Sequence, residues 1–354
     1  MMTIKMNRLG LILLAITLFG IMLSCEAPVP AQIPAPLPAQ TPVPRRELVA
    51  VQTPAPRGEP VAGTYVSQIM VDGLQCSFTV HIPRTNNGKG SLPVVIMLHG
   101  GGGTTRAANE ETGWVDKAEA EGFLAVFPEA MARDPSQRSS FARNPQLWND
   151  GSGRFYPEQK MPDDIAFINA LIDHLISSFP VDEKQIFVTG FSNGASMSFR
   201  AGAELSKRVA AIAPVAGACW LGEIVLEQPV SMFYMTGTND PLNLIEGGVP
   251  KLLSGGSDPI RSKAKPPVRD SINKWVQALA CPGISSSVAE TNGVKTETYG
   301  PCREGCEVIY VTVEGQGHTW AGGKSLLPES WVGKTSDKIR ATDAIWDFFN
   351  QHHR

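Results

Sequence analysis

Short, largely apolar runs recur through this chain, at 94–98, 123–127, 185–189, 210–215 and 230–236. Runs of that length suit strands buried on both faces rather than half-exposed ones. Helical patterns stand between and after them, at 163–179, 193–205, 271–280 and 339–349. In the first, Ile165, Ile168, Ile172, Leu175, Ile176 and Phe179 fall on one face, and Asp163 and Asp164 open it where the helix end is positive. Strands that alternate with helices predict an α/β fold, a mostly parallel central sheet with helices on both faces. The segments 64–71 and 75–82 read as a hairpin around Asp72-Gly73 and add an antiparallel edge, and 306–313 reads as a late strand. In such a sheet, ligands bind beyond the carboxyl ends of the strands.

One of those strand ends carries Gly190-Phe191-Ser192-Asn193-Gly194, a G-x-S-x-G motif between a strand and a helix. In that context a serine sits on a tight, strained turn, and the glycines give neighbouring backbone room. Ser192 is therefore the candidate nucleophile. After the 94–98 run comes His99-Gly100-Gly101-Gly102-Gly103. Such a loop can offer a backbone N–H to an oxyanion, with Gly101 and Asn193 as the two donors. A phosphate-cradling role is disfavoured, because neither a G-x-x-x-x-G-K-[ST] nor a G-x-G-x-x-G motif is present.

The base follows by elimination among six histidines. His81 ends a strand upstream, and His99 suits orienting the glycine loop. His174 falls on the polar face of its helix, and His352 and His353 close the chain. His318, in a glycine-rich loop after the 306–313 strand, remains. The chain order Ser, acid, His places the acid between 192 and 318. Asp240 follows the 230–236 run. Asp258, in a Gly/Ser-rich excursion, and Asp270, at a helix start, are its competitors. These roles need neither metal nor organic cofactor.

Several ordered segments carry a resemblance. They include Leu98-His99-Gly100-Gly101, Asp163-Asp164-Ile165-Ala166-Phe167-Ile168, the serine motif, and Ala213-Pro214-Val215-Ala216-Gly217. Gly237-Thr238-Asn239-Asp240-Pro241, Gly317-His318-Thr319-Trp320-Ala321-Gly322-Gly323 and Ala344-Ile345-Trp346-Asp347-Phe348-Phe349 complete the set. From about residue 75 to 350 the chain resembles extracellular polyhydroxybutyrate depolymerases and their feruloyl and acetyl-xylan esterase relatives, which are α/β-hydrolase serine esterases. The resemblance implies a Ser192–Asp240–His318 triad, an acyl-enzyme mechanism on an ester substrate, and a Cys281–Cys302 disulfide. Cys306, four residues later, is a second candidate for that bridge. The chain departs from the family at Gly101, where a Cys is common, and at Ala321, where a Pro is common. Trp148 and Trp320, on expected loops near the strand ends, either stack on an aromatic acyl group or sugar or pack those loops.

The N-terminus reads as an export signal. Lys5 and Arg8 precede an apolar run, 9–23, that is short for a membrane span. Met22-Leu23-Ser24-Cys25 resembles a lipobox, with Cys25 as the lipidated residue; an ordinary cleaved signal is the alternative. Residues 1–25 are thus expected to be a signal or lipoprotein segment and 26–62 a Pro-rich disordered linker. The enzyme domain is expected at 63–354. Location is extracytoplasmic, with membrane attachment through the lipid only. Export permits disulfides, and five cysteines remain besides Cys25, an odd number. No C-x-x-C pair marks a metal or thioredoxin-like site. A net charge of −3 gives no footing for nucleic acid. Two other readings are a serine peptidase on the same fold and a non-catalytic binding lipoprotein.

Overall fold

The computed structural model describes residues 61–85, 90–154, 162–250 and 263–354. Cys25, the Pro-rich stretch through residue 60 and Asp258 lie outside the described residues.

The chain opens with the hairpin β1 (Gly63–Val71) and β2 (Leu74–Ile82), then β3 (Leu92–Leu98). The helices α1 (Thr105–Thr112) and α2 (Trp114–Glu121) lead to β4 (Leu124–Pro128). Next come α3 (Asp164–Ser178), β5 (Val181–Phe191), α4 (Asn193–Glu204), β6 (Ala211–Val215) and β7 (Ser231–Gly237). The last part holds α5 (Val268–Ala278), β8 (Ser287–Thr291), β9 (Val294–Tyr299), β10 (Val308–Val313), α6 (Glu329–Val332) and α7 (Ala341–Phe349).

The strands form one sheet in the order β1-β2-β4-β3-β5-β6-β7-β10-β9-β8. From β4 to β10 every pairing is parallel. Antiparallel pairs flank that centre on both sides. The two outer hairpins turn alike. Asp72 and Gly73 have φ of 49° and 79°, and Asn292 and Gly293 have 52° and 71°. Two successive left-handed residues suit the twist of paired strands, and Asn, Asp and Gly tolerate them.

Side chains of the central strands alternate between two cores. Val94, Ile96, Ile186 and Val188 join one core with Phe167, Ile168 and Ile172 of α3, Phe199 of α4 and Trp275 of α5. Val95, Met97 and Phe187 join the other, with Trp114 of α2 and Ile345, Trp346 and Phe349 of α7. Phe187 stacks on Phe349 at 4.6 Å between centroids, and Phe123 on Trp346 at 4.2 Å. The alternating apolar runs of the sequence thus produce the α/β-hydrolase sheet, with helices on both faces.

Three features differ from the sequence expectation. The β8–β9 hairpin was not anticipated, because β8 is exposed along its length and shows no apolar alternation. Only Asn292-Gly293 signals it. The helices α1 and α2 have little apolar stripe, and α1 is defined mainly by Thr104, whose hydroxyl caps it by accepting from the Ala107 N–H at 3.1 Å. His174 is buried, not on a solvated face. Its ring meets Phe78 of β2 edge-on, because α3 is covered on that flank by the front hairpin, and burial lowers its pKa.

The late hairpin is held to the body by polar and covalent ties. Arg269 of α5 donates to both Glu297 oxygens, at 2.8 and 3.1 Å, and to the Tyr299 hydroxyl at 2.6 Å. Cys281 and Cys302 form a disulfide beside it, while Cys76, Cys219 and Cys306 carry free thiols.

Phe199 is fully buried between Tyr234 and Trp275. Phe199→Ala should destabilise the protein by about 3–5 kcal/mol through the cavity it leaves. Urea unfolding followed by circular dichroism should show a lower midpoint and an unchanged slope.

Candidate active site

The strand β5 ends at Phe191, α4 begins at Asn193, and Ser192 alone makes the turn between them. Its φ of 56° and ψ of −113° are strained for a side-chain-bearing residue, a cost of order 1–3 kcal/mol. The Ser192 N–H donates to the Val215 carbonyl at 2.9 Å, and its own carbonyl accepts from the Ser196 N–H at 3.1 Å. The flanking glycines are required by space. A Cβ on Gly190 would lie 2.4 Å from the Gly194 carbonyl oxygen, and one on Gly194 would lie 2.1 Å from that of Leu98.

His318 stands in the loop after β10. Its N–H donates to the Val332 carbonyl at 2.5 Å, and the Gly317 N–H donates to the Lys334 carbonyl at 2.8 Å. The Gln316 side chain spans the loop, donating to Thr319 and accepting from the Ser336 N–H at 2.6 Å. These bonds fix the imidazole. Nε2 is 2.8 Å from Ser192 Oγ, and Nδ1 is 2.8 Å from Asp240 Oδ2. With Nδ1–H donating to the carboxylate, Nε2 is free to accept the serine proton.

Asp240 lies just past β7. Its other oxygen, Oδ1, accepts from the N–H groups of Leu242 and Asn243, both at 2.7 Å. Burial by itself would raise its pKa. The charge and hydrogen bond of His318, together with those two N–H groups, outweigh it and hold the carboxyl below its ordinary range. Asp270 sits instead in the first turn of α5.

The glycine loop after β3 borders the same cavity, about 550 Å³ in volume, that holds Ser192 and His318. The Gly102 N–H donates to the Gln146 carbonyl and the Gly103 N–H to that of Gly100, whereas the Gly101 N–H has no partner among the described residues. The N–H of Asn193, at the start of α4, is one that no helical carbonyl can reach. Gly101 and Asn193 are neighbours: a Cβ on Gly101 would lie 3.6 Å from that of Asn193.

His99 anchors this loop. Its Nε2 accepts from the Ala130 N–H at 3.1 Å, so the proton is on Nδ1, which donates to the Gly100 carbonyl at 2.7 Å. Full burial lowers its pKa to about 4, keeping the ring neutral.

Trp148 and Trp320 line no part of the cavity. Both are buried, and each indole N–H finds its partner inside the protein. Trp320 Nε1 donates to Thr342 Oγ1 at 2.9 Å, tying the His318 loop to α7. Trp148 Nε1 donates to the His99 carbonyl at 2.9 Å. The Trp148 backbone is clasped by the Asn193 side chain, whose Oδ1 accepts from its N–H at 2.7 Å and whose Nδ2 donates to its carbonyl at 3.1 Å. Trp148 is thus a strut between the glycine loop and the serine turn. The rim is instead apolar through Phe141, Leu326 and Trp331, about half exposed each. Arg154 and Lys265 line the cavity as well. Sequence reasoning missed these residues, which lie in segments without periodic pattern.

In sequence and fold the chain is similar to known esterases. The family described as Phospholipase/Carboxylesterase matches residues 85–242. The solved acetyl xylan esterase from Aspergillus awamori shares the fold with a TM-score of 0.50 at 14% identity, over 72% of this chain and 94% of that one. The protein NocK of Nocardia uniformis subsp. tsuyamanensis, named as an esterase, is 28% identical over 85% of this chain and 87% of its own length. The chain is an α/β-hydrolase esterase. It is also 23% identical, over 68% of its length, to the bifunctional acetylxylan esterase/xylanase XynS20E of Neocallimastix patriciarum. Feruloyl esterase B of Piromyces equi is 29% identical over 51% of the chain. The esterase spans about a third of each of these two longer proteins, 31% and 32%.

Gly194→Ala should drive the serine turn away from β3. The expected result is a folded protein of lower melting temperature that has lost nearly all ester hydrolysis, read by calorimetry and a 4-nitrophenyl butyrate assay. Retained activity would show that the close approach to Leu98 is dispensable.

Proposed function

We propose that this chain is an exported serine carboxylic-ester hydrolase that works through Ser192, His318 and Asp240 and a covalent acyl-enzyme. The observation that carries this reading is the unbroken hydrogen-bond line from Ser192 Oγ to His318 to Asp240, 2.8 Å at each step.

Chemistry follows from that line. His318 Nε2 takes the Ser192 proton as Oγ attacks the ester carbonyl. Asp240 holds the ring in the tautomer that leaves Nε2 free and stabilises the imidazolium that forms. The backbone N–H groups of Gly101 and Asn193 receive the oxyanion, each donor worth about 3–4 kcal/mol in the transition state. The imidazolium returns its proton to the leaving alcohol. Water, deprotonated by the same histidine, then releases the acid and restores Ser192.

The substrates are polyhydroxybutyrate-type, feruloyl or acetyl-xylan type esters. The names of similar proteins, an acetylxylan esterase/xylanase and a feruloyl esterase, support this range. So does the apolar rim of Phe141, Leu326 and Trp331, which suits an aromatic or alkyl group. Export rests on the N-terminal signal pattern, with Cys25 as lipid attachment point, and the Cys281–Cys302 disulfide fits an oxidising compartment.

The test is a panel of 4-nitrophenyl acetate and butyrate, methyl ferulate, acetylated xylan and 3-hydroxybutyrate oligomers, with Ser192→Ala as control. The wild-type protein should turn over at least one class, and Ser192→Ala should lower kcat by roughly a thousandfold or more. Undiminished turnover in Ser192→Ala would remove Ser192 as the nucleophile.

A further inference from the structure

The cavity over Ser192 has two unlike kinds of lining. Phe141, Leu326 and Trp331 are apolar, while Arg154 and Lys265 bring two cations to it. Both cationic side chains are more than nine-tenths buried, with 6% and 8% of their surface exposed. Arg154 lies 3.5 Å from Asp150 Oδ2 and 4.3 Å over the Trp220 ring. Lys265 is matched far less well. Its ammonium donates to Asn243 Oδ1 at 3.4 Å, a long contact with a neutral oxygen, and it makes no ion pair among the described residues.

Asp240 and Asp150, the two carboxylates that act on Lys265, are already committed; Glu111 also lines the cavity, and burial raises its pKa to about 7. Asp240 accepts from His318 and two backbone N–H groups. Asp150 accepts from Asn193 Nδ2 at 2.9 Å, from the Ser152 N–H at 3.0 Å and from Arg154. An ammonium has three donors, and burying it against one weak acceptor works against folding. Such a group is kept for recognition more readily than for stability, and it borders the cavity that holds the nucleophile.

We propose that Lys265 and Arg154 form a carboxylate subsite, so that the preferred esters carry a free carboxylate on their acyl or alcohol half. This deepens the esterase reading of Ser192 and rests on it. Two kinds of compound present that chemistry. A dicarboxylic half-ester carries the charge on the acyl side, and the acid end of a short hydroxyacid oligomer carries it on the alcohol side. The second is what an enzyme degrading a hydroxyacid polyester meets at the carboxyl end of each chain.

Charge on Lys265 gives the subsite a pH signature. Burial, with Arg154 beside it, lowers the Lys265 pKa to about 8, while Asp240 and Asp150 pull the other way. The ammonium is charged below that value and neutral above it, so the share of the preference that Lys265 supplies is present at neutral pH and is lost as pH rises through about 8, while Arg154 stays charged.

The experiment measures kcat/KM on the purified full-length protein for two matched pairs. Mono-4-nitrophenyl glutarate against 4-nitrophenyl valerate tests the acyl side. 3-(Butyryloxy)butyrate against its primary amide tests the alcohol side. At neutral pH the anion should be favoured by about tenfold or more in at least one pair. Lys265→Met should cut that ratio by about fivefold or more, and Lys265→Arg should keep most of it. A merely structural lysine would lower both members of a pair together and leave the ratio alone. In the wild-type protein, the ratio should fall between roughly pH 7 and pH 9, a readout that needs no variant to fold. A neutral preference in both pairs, or a ratio unmoved by Lys265→Met and by pH, overturns the subsite. Failure of the esterase reading looks different: none of the four esters is then hydrolysed, and the inference falls with it.

Discussion

Gly194 lies so close to β3 that a single methyl group there would stand 2.1 Å from the Leu98 carbonyl oxygen. Much of the site depends on that approach. It seats the first turn of α4 on the end of β3, so that β5 must reverse into the helix within one residue, Ser192. The same contact brings the glycine loop, which leaves β3 at Leu98, alongside the turn that leaves β5. Two strands adjacent in a parallel sheet deliver their loops to one edge, and here the loops touch. The strain at Ser192 is held in place by the packing of α4 against the sheet, where Phe199 and Ala201 are fully buried.

A buried polar frame carries that arrangement outward. His99 is kept neutral by burial and holds Ala130 and Gly100; its carbonyl takes the Trp148 indole N–H. The Trp148 backbone is clasped by the Asn193 side chain, which also donates to Asp150. One residue on, the Asn149 N–H donates to Asp164 at 2.6 Å, at the start of α3. Burial raises the Asp164 pKa to about 7, against the pull of that N–H and of Arg200. Each of these groups lacks water, so each must find a partner, and the partners tie together loops far apart in sequence. The result is a rigid floor under the proposed oxyanion donors, and rigidity in such donors is what transition-state stabilisation requires.

The same logic separates the two tryptophans proposed for substrate from the groups that line the cavity. An indole offers an apolar face and one N–H donor. Inside the protein, Trp148 and Trp320 use both, so neither is left for a ligand. Phe141, Leu326 and Trp331 remain half exposed, around a cavity that also carries Arg154 and Lys265.

Much of this was legible in the sequence, because it rests on local chemistry. Apolar runs must be buried, and their alternation with helices leaves a parallel sheet as the way to bury them. The glycines around Ser192 and after His99 mark backbone that other backbone approaches closely. Asp72-Gly73 could hardly be other than a tight turn. Elimination among the histidines pointed to His318, and chain order, strand position and the family resemblance together pointed to Asp240, 126 and 48 residues beyond the serine. What only the tertiary structure decided are the meetings of residues that carry no local pattern. Asn193 is a helix N-terminus in sequence, but a clasp for Trp148 in space. The polar face expected for His174 is covered by a hairpin on another strand pair. Lys265 is an unremarkable lysine until the fold withdraws it from water at the cavity that holds the nucleophile. Periodicity reports which side of an element is apolar; it is silent on what lies against the other side, because that depends on how distant segments cross.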